Sequence, residues 1–232
     1  MVKFTKEHKS RLEKLATPTL ANVLDDIGFE GIMYNLEPAG FGMRVVGEAL
    51  TVQEITGPFG SFKTEDFKVG HMIEKANPGD VIVVANNGAP VSTWGGMASY
   101  SAKLKGIGGL VVDGGIRDRE EIIEFNFPAF SKHMVPTPGK TRIKVLSIGE
   151  PIICSGVKVR TGDIIVADGT GVLCIPLEEL ENVIFEAINN QTKRNQLGKN
   201  ARQSFIKKFA SDKVFRKFMA CLLYTSPSPR DS

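Results

Sequence analysis

The sequence predicts an α/β protein, and three features of the 232-residue chain carry that expectation. Between residues 80 and 125, short apolar runs alternate with stretches of helical periodicity, as parallel strands joined by right-handed crossovers do. One of those runs, Gly109-Leu110-Val111-Val112, breaks into Asp113-Gly114-Gly115-Ile116, which reads as a buried strand ending in a turn. From Pro128 to Pro176 the pattern changes to short strands separated by turns, with no helical stretch among them, and antiparallel pairing is expected there.

In chain order, residues 6–28 carry helical spacing interrupted at Thr17-Pro18-Thr19, and Thr19 is placed to cap a second helix that runs through Asp26 and stops before Gly28. Residues 30–43 form a loop punctuated by Gly and Pro. Val45 to Ile55 reads as extended, with Gly47 marking a candidate bulge. Asp66 to Lys75 has helical spacing, ended by Asn77-Pro78-Gly79. Asp80 to Ala85 is a buried strand, and Asn86-Asn87-Gly88-Ala89-Pro90 is the loop at its carboxyl end. Gly95 to Lys105 is a helix, Gly109 to Val112 the next strand, and Arg119 to Phe125 another helix. The short strands that follow are Ile143 to Ile148, Ile152 to Val159, Asp163 to Ala167 and Gly171 to Ile175. A final helix begins near Leu177-Glu178-Glu179 and extends towards residue 218, with Gly198 as a candidate break. Gly79-Asp80-Val81-Ile82-Val83 recurs as Gly162-Asp163-Ile164-Ile165-Val166; nothing flanking the copies matches, so one turn-into-strand device is used twice.

Composition narrows the function classes. Hydrophobic residues make up 42% and charged residues 24%, a soluble globular balance, and a net charge of +3 does not by itself imply a nucleic-acid partner. No apolar stretch approaches a membrane span, and the amino terminus lacks the apolar core of a signal peptide, so a cytoplasmic location without membrane contact is expected. Cys154, Cys174 and Cys221 lack metal-site spacing and read as small buried apolar residues where they fall in strands. His8, His71 and His133 are too scattered for a histidine-rich metal centre. Residues 221–232 resemble the translation of a sequencing adapter and stand apart from a single domain over 1–220. The segment 190–220 is basic, from Lys193 and Arg194 to Arg216 and Lys217, against Asp212 alone. With Phe205, Phe209 and Phe218 it reads as an amphipathic helix docking on a neighbouring subunit, or as an anion-binding surface.

The chemistry gathers at Arg117-Asp118-x-x-Glu121, just past the carboxyl end of the 109–112 strand, where ligands bind in open α/β sheets. Arg117 offers a planar fork for a carboxylate. Asp118 and Glu121, three residues apart, share one helical face and could hold a hard, oxygen-liganded cation. Taken alone, the three residues also fit a helix start with an acidic first turn and a surface ion pair worth about 0–1 kcal/mol. The loops 86–97 and 113–118 are expected to open at the same sheet edge, which would make one site of two weak motifs.

Trp94-Gly95-Gly96-Met97-Ala98 and the run from Ala102 through Gly109-Leu110-Val111-Val112-Asp113-Gly114-Gly115-Ile116 to Arg117-Asp118 resemble the RraA-like family, which includes class II 4-hydroxy-4-methyl-2-oxoglutarate/4-carboxy-4-hydroxy-2-oxoadipate aldolases. Twenty residues separate Gly96 from Arg117, matching a Gly-x20-Arg-Asp-x2-Glu/Asp signature. Weaker likenesses at Val46–Val52, Pro78–Val83 and Asp168–Val172 extend the match over roughly residues 15 to 185. The resemblance implies an α/β/β swivelling-domain fold with a parallel βαβ core, assembled as a homotrimer or hexamer with sites at subunit interfaces. It implies Mg²⁺ or Mn²⁺ as cofactor, a small 2-oxo acid as substrate, pyruvate as product, and oxaloacetate decarboxylation as a side activity. Carried over by residue, Asp118 ligates the metal directly, Glu121 holds metal-bound water, and Arg117 clamps the pyruvyl carboxylate. Backbone amides near Gly95, Gly96 and Met97 bind the same carboxylate at a helix start. The chain departs from many family aldolases by having Gly96 where they carry an acid.

The expected function is divalent-metal-dependent retro-aldol cleavage of a 4-hydroxy-2-oxo acid. The alternative is a non-catalytic, protein-binding regulator like the family's ribonuclease E inhibitor branch. A Schiff-base mechanism would need a desolvated lysine, and Lys103 and Lys105 lie in a polar helical stretch. Asp113 reads as a turn cap, Asp168 as part of the Asp-Gly-Thr-Gly turn, and Trp94 as packing or interface.

Overall fold

A computed structural model describes residues 3–209 together with Phe215 and Met219. The chain divides into two compact units, Met1–Ala187 and Ile188–Ser232. The first is a mixed α/β sandwich built on a ten-stranded sheet.

The amino-terminal helices are α1 (Lys6–Leu12) and α2 (Thr17–Asp26). Thr5 and His8 close a capping box at the start of α1, and His8 Nε2 also meets Glu181 Oε1 at 2.8 Å. Thr19 is not the cap of α2: the helix starts at Thr17, with Pro18 in the first turn, where its missing N–H is harmless. Thr17 instead turns to Asp168, which accepts its amide at 2.9 Å and its hydroxyl at 2.7 Å. Two short edge strands, β1 (Ile32–Met33) and β2 (Glu37–Pro38), lie inside the stretch expected to be loop.

The sheet is organised by β3 (Val45–Thr56). One edge of β3 pairs in parallel with β4 (Val81–Ala85). The other edge is shared by two antiparallel partners, β11 (Ile164–Asp168) along the first residues and β8 (Ile143–Ile148) along the last. The bulge falls between Gln53 and Glu54, not at Gly47. Gly47 is needed for close approach, since a Cβ there would lie 2.2 Å from Gly79 O.

Beyond β4 come β5 (Ser92–Trp94), β6 (Gly109–Ile116) and β7 (Ala129–Met134), with β6 parallel to β4, β5 and β7, while β7 closes that edge with antiparallel β2. Three findings differ from the sequence expectation. Asp113 to Ile116 continue the strand rather than turn, because β5 pairs with its carboxyl end through Ser92–Gly115 and Trp94–Ile116. The loop 86–97 therefore contains a strand. β7, inside the stretch expected to be antiparallel, extends the parallel part of the sheet. The crossovers are α3 (Val69–Lys75), α4 (Gly96–Lys105) and α5 (Arg119–Glu124); α4 touches both α3 and α5. The hairpin β9 (Ile152–Cys154) and β10 (Val157–Val159) turns at Ser155-Gly156 and packs on β3 and β4, completing an α/β/β layering.

The last hairpin, β11 with β12 (Gly171–Ile175), separates two cores by strand alternation. Ile164, Val166, Leu173 and Ile175 face a cluster with Leu12, Leu20, Leu24 and Val183. Ile165, Ala167, Val172 and Cys174 belong to the larger cluster around Val83, Val111 and Phe130. The period of two that places successive side chains on opposite faces is thus used on both sides. Cys154 and Cys174 are buried free thiols, as read from sequence, and burial pushes both thiol pKa values up. Cys221 lies outside the described residues.

After a 3₁₀ turn at Leu177–Glu179, α6 runs from Leu180 to Phe209 without a break at Gly198. Leu180, Val183, Ile184 and Ala187 are buried in the first unit. The expected continuation to residue 218 and the adapter-like residues 221–232 fall outside the described residues, apart from Phe215 and Met219.

Candidate active site

Two backbone events build the site at the carboxyl end of the parallel strands. First, β5 lies along the end of β6, and the Arg117 amide donates to Trp94 O at 3.0 Å. The loops 86–97 and 113–118 are thereby brought together. Second, Asp118 takes a left-handed conformation, φ 55° and ψ 45°. Such a backbone costs a residue with a Cβ roughly 1–2 kcal/mol, and it is found where the surrounding structure fixes a functional direction. Asp118 stands at the N-cap of α5 but does not cap it. Its Oδ2 reaches across to the head of α4 and accepts the Gly96 amide at 3.1 Å.

Arg117 Nε lies 3.4 Å from the same Asp118 oxygen, and both side chains are about half exposed. Glu121 comes in from α5. Its carboxylate rests against Gly96 so closely that a Cβ there would fall 1.7 Å from Oε2. At Gly95 a Cβ would fall 2.4 Å from Asp118 Oδ2. Both glycines are therefore required by the two carboxylates that lie over them. This also accounts for the departure at position 96, since Glu121 already occupies the space an acidic side chain there would enter.

The sequence-predicted residues Arg117, Asp118, Glu121, Gly95, Gly96 and Met97 thus converge, with one difference. The Gly96 amide is engaged by Asp118, which leaves the Met97 and Ala98 amides, in the first turn of α4, as donors with no carbonyl one turn earlier in the helix. A cavity of about 360 Å³ opens beside them, within the range of small-molecule sites. Its wall includes Arg117, Asp118, Gly95, Met97 and Ala98 together with Phe67, Val69, Ile73 and Lys140. Glu121 is not part of that wall.

No group of three or more His, Cys, Asp or Glu among the described residues could hold a metal ion. What the structure offers is smaller: Asp118 with Oδ1 free of protein hydrogen bonds among the described residues, and a second carboxylate one helical turn on. That donor set fits Mg²⁺ or Mn²⁺, hard ions often held by one or two carboxylates with water and substrate filling the remaining positions.

Sequence reasoning missed the rest of the cavity wall. Phe67 and Ile73 fall in the stretch of helical spacing at 66–75, and Pro138-Gly139-Lys140 in the stretch of short strands and turns at 128–176; neither signal says where a segment lies in space. It also missed Glu54, which is fully buried in β3. Its Oε2 accepts from Thr93 Oγ1 at 2.6 Å and Asn86 Nδ2 at 2.9 Å, while Oε1 has no partner. Burial pushes its pKa up to about 8, against the opposing hydrogen bonds, and the Asp113 charge adds to the rise. Asp113 is itself buried, accepting the Asn86 and Ser155 amides, so it braces loops. The other residues weighed from sequence are structural. Trp94 is buried, donates to Ser99 Oγ at 2.9 Å and stacks on Phe127 at 6.1 Å. Lys103 and Lys105 are tied to backbone carbonyls at the ends of α5 and α3.

An α/β fold here brings a guanidinium and two carboxylates together around a glycine-headed helix, beside a cavity of small-molecule size. The chain belongs to the RraA-like family, described as Aldolase/RraA, whose profile matches residues 17–174. It is 33% identical over 198 residues, 85% of this chain and 87% of the relative, to a Halalkalibacterium halodurans protein named as a 4-hydroxy-4-methyl-2-oxoglutarate aldolase. Protein DlpA of Legionella pneumophila is 34% identical over 170 residues, 73% of this chain; the chain spans only 27% of that relative's length. Among solved structures, an uncharacterised Pseudomonas syringae protein superposes with a TM-score of 0.76 at 25% identity, covering 91% of this chain and 97% of that one. The Streptomyces coelicolor protein RraAS2, described as an unusual member of the RNase ES inhibitor RraA family, has the same fold, with a TM-score of 0.72 at 23% identity over 84% of this chain and 97% of its own. The family description itself joins aldolases with RraA proteins.

Proposed function

We propose that this protein is a divalent-metal-dependent pyruvate aldolase, cleaving a 4-hydroxy-2-oxo acid to pyruvate and decarboxylating oxaloacetate at the same site. The supporting observation is the aim of Asp118, whose left-handed backbone sends its carboxylate to the glycine-headed α4, beside Arg117 and Glu121. A purely binding surface gives no physical reason to hold that conformation. Mg²⁺ or Mn²⁺, when bound, supplies positive charge that draws electrons from the substrate carbonyl as the C3–C4 bond breaks, a stabilisation larger in the transition state than in the ground state.

The chain's own residues do the rest. Asp118 would hold the ion and Glu121 would orient water bound to it. The Arg117 fork and the amides heading α4 grip the substrate carboxylate. Phe67, Val69 and Ile73 keep the carbon chain out of bulk water. Self-association as a trimer or hexamer belongs to the same proposal, and exposed Met97, Tyr100 and Leu104 on α4, beside the cavity, are apolar surface that a neighbouring subunit would cover.

The test is pyruvate release from oxaloacetate with Mg²⁺ and with excess chelator, for the wild type and Asp118→Ala. Turnover that needs the ion and disappears in a variant of unchanged circular dichroism supports the reading. Turnover no higher than that of free Mg²⁺ overturns it in favour of a protein-binding regulator.

A further inference from the structure

We infer that Glu54 is a positioning residue for the reaction: as a neutral carboxylic acid it joins Asn86 and Thr93 in a buried latch that fixes β5, the strand feeding Gly95 and Gly96 into the site. The inference rests on the aldolase reading. Three segments meet at the latch. Glu54 follows the bulge in β3, Asn86 follows the last residue of β4, and Thr93 is the middle of β5. Glu54 Oε2 accepts from Thr93 Oγ1 at 2.6 Å and from Asn86 Nδ2 at 2.9 Å, and Asn86 Nδ2 also donates to Thr93 Oγ1 at 3.0 Å. All three residues are buried. Asn86 is itself pressed onto β6: a Cβ on Gly114 would lie 2.9 Å from its own Cβ, and its backbone amide donates to Asp113 Oδ1. Thr93 lines the cavity, and the next residue, Trp94, accepts the Arg117 amide on its carbonyl. Whatever holds Thr93 therefore holds the approach to α4 and the backbone of Arg117.

Two buried oxygens say which protonation state the latch needs. Glu54 Oε1 and Asn86 Oδ1 both lack a partner among the described residues. While Glu54 is ionised both are acceptors, and a buried charge without a donor is costly. A proton on Oε1 makes it a donor, and Asn86 Oδ1, on the side chain already bonded to Oε2, is the acceptor that this donor needs. The surroundings favour the proton. Strand β4 carries no titratable residue, and β11 pairs only with the other end of β3. Lys144 on β8 turns to Asp66, and Lys132 and His133 on β7 lie against Gly88. Cys154 on β9 is held neutral by burial. Asp113 on β6 is the charge that acts on Glu54, and like burial it favours the neutral form. Ionisation leaves both oxygens as unpaired acceptors and loosens the hold on Thr93.

Trp94 is the only tryptophan of the chain, so its fluorescence reports on β5 directly. Fluorescence is followed from pH 6 to pH 9, together with kcat/KM for pyruvate release from oxaloacetate in Mg²⁺. The proteins are the wild type, Glu54→Gln, which copies the neutral acid, and Thr93→Val, which keeps the shape of threonine without its hydroxyl. Wild-type fluorescence should change with a midpoint near the pKa of about 8 at Glu54. Its kcat/KM relative to Glu54→Gln should fall about tenfold between pH 7 and pH 9, following the loss of the neutral acid. Glu54→Gln should show no such fluorescence change. Thr93→Val should lower kcat/KM about tenfold at pH 7 and uncouple Trp94 from the titration. Flat wild-type fluorescence, an equal change in Glu54→Gln, or a fluorescence change with no matching fall in kcat/KM overturns the role and leaves the aldolase reading standing. Absence of turnover in the wild type at every pH overturns the aldolase reading, and the fluorescence titration still decides whether Glu54 holds β5.

Discussion

Arg117 and Gly96 are the two residues whose replacement separates binding from geometry. Arg117 has only its Nε engaged, at 3.4 Å, so the two terminal nitrogens are available as a fork. Lysine offers a point charge in its place; Arg117→Lys should raise KM roughly tenfold with a smaller change in kcat, measured by steady-state pyruvate release. Gly96→Ala makes the smallest possible addition at the most crowded point. Its methyl would fall 1.7 Å from Glu121 Oε2, so the carboxylate must swing away. Loss of roughly tenfold or more in kcat/KM is expected, without loss of fold, because Glu121 sits on a short, partly exposed helix that can yield. Unchanged kinetics in that variant would show that Glu121 plays no part in turnover. Both residues were legible in the sequence through their spacing, but the crowding between them was not, since it depends on a left-handed residue that only coordinates reveal.

At the scale of elements, β3 carries a testable electrostatic cost. Glu54 holds its proton in the folded chain up to about pH 8, whereas an unfolded chain releases it near 4.5. Between those values the folded state binds more protons than the unfolded one, so stability falls as pH rises through the window. The effect is of order a few kcal/mol, and Glu54→Gln, which keeps the shape and a donor without the titration, should flatten it. Urea midpoints at pH 5 and pH 8 measure this; a wild type as stable at pH 8 as at pH 5 would contradict it. A sequence reader has little to separate Glu54 from an ordinary exposed acid in a strand, because the bulge beside it resets the alternation that would mark its side as inward. The same limit explains β5, three residues too short for a period, and β7, whose apolar start looks the same whether its partner runs parallel or antiparallel. Long alternations and glycine-ended helices were readable because each carries its own punctuation.

Across the molecule, the first unit is held by contacts between distant parts of the chain, and Asp168 is the clearest. It accepts from Thr17 and Thr170 and lies 3.5 Å from Arg44, whose Nη2 also donates to Leu12 O at 3.0 Å. Burial would raise its pKa, but those hydrogen bonds and the Arg44 charge outweigh it and hold the carboxyl below the ordinary 3.8. Its stabilising contribution is therefore complete above that value and lost as acid carries the pH down through the lowered one. Asp168→Asn should cost roughly 1–3 kcal/mol at neutral pH, read as a lower melting temperature, with the deficit shrinking at strongly acidic pH. A deficit that stays constant with pH would assign the loss to shape rather than charge. The α/β class and the meeting of the two loops followed from sequence order; which distant strands share an edge did not. That edge matters during synthesis. The whole of β3 leaves the ribosome long before β8 and β11, so one side of a twelve-residue strand waits with open amides and carbonyls while most of the chain is still being made. Until residue 168 emerges, the nascent chain is a template for wrong neighbours, and its yield in a cell will depend on chaperones shielding that rim.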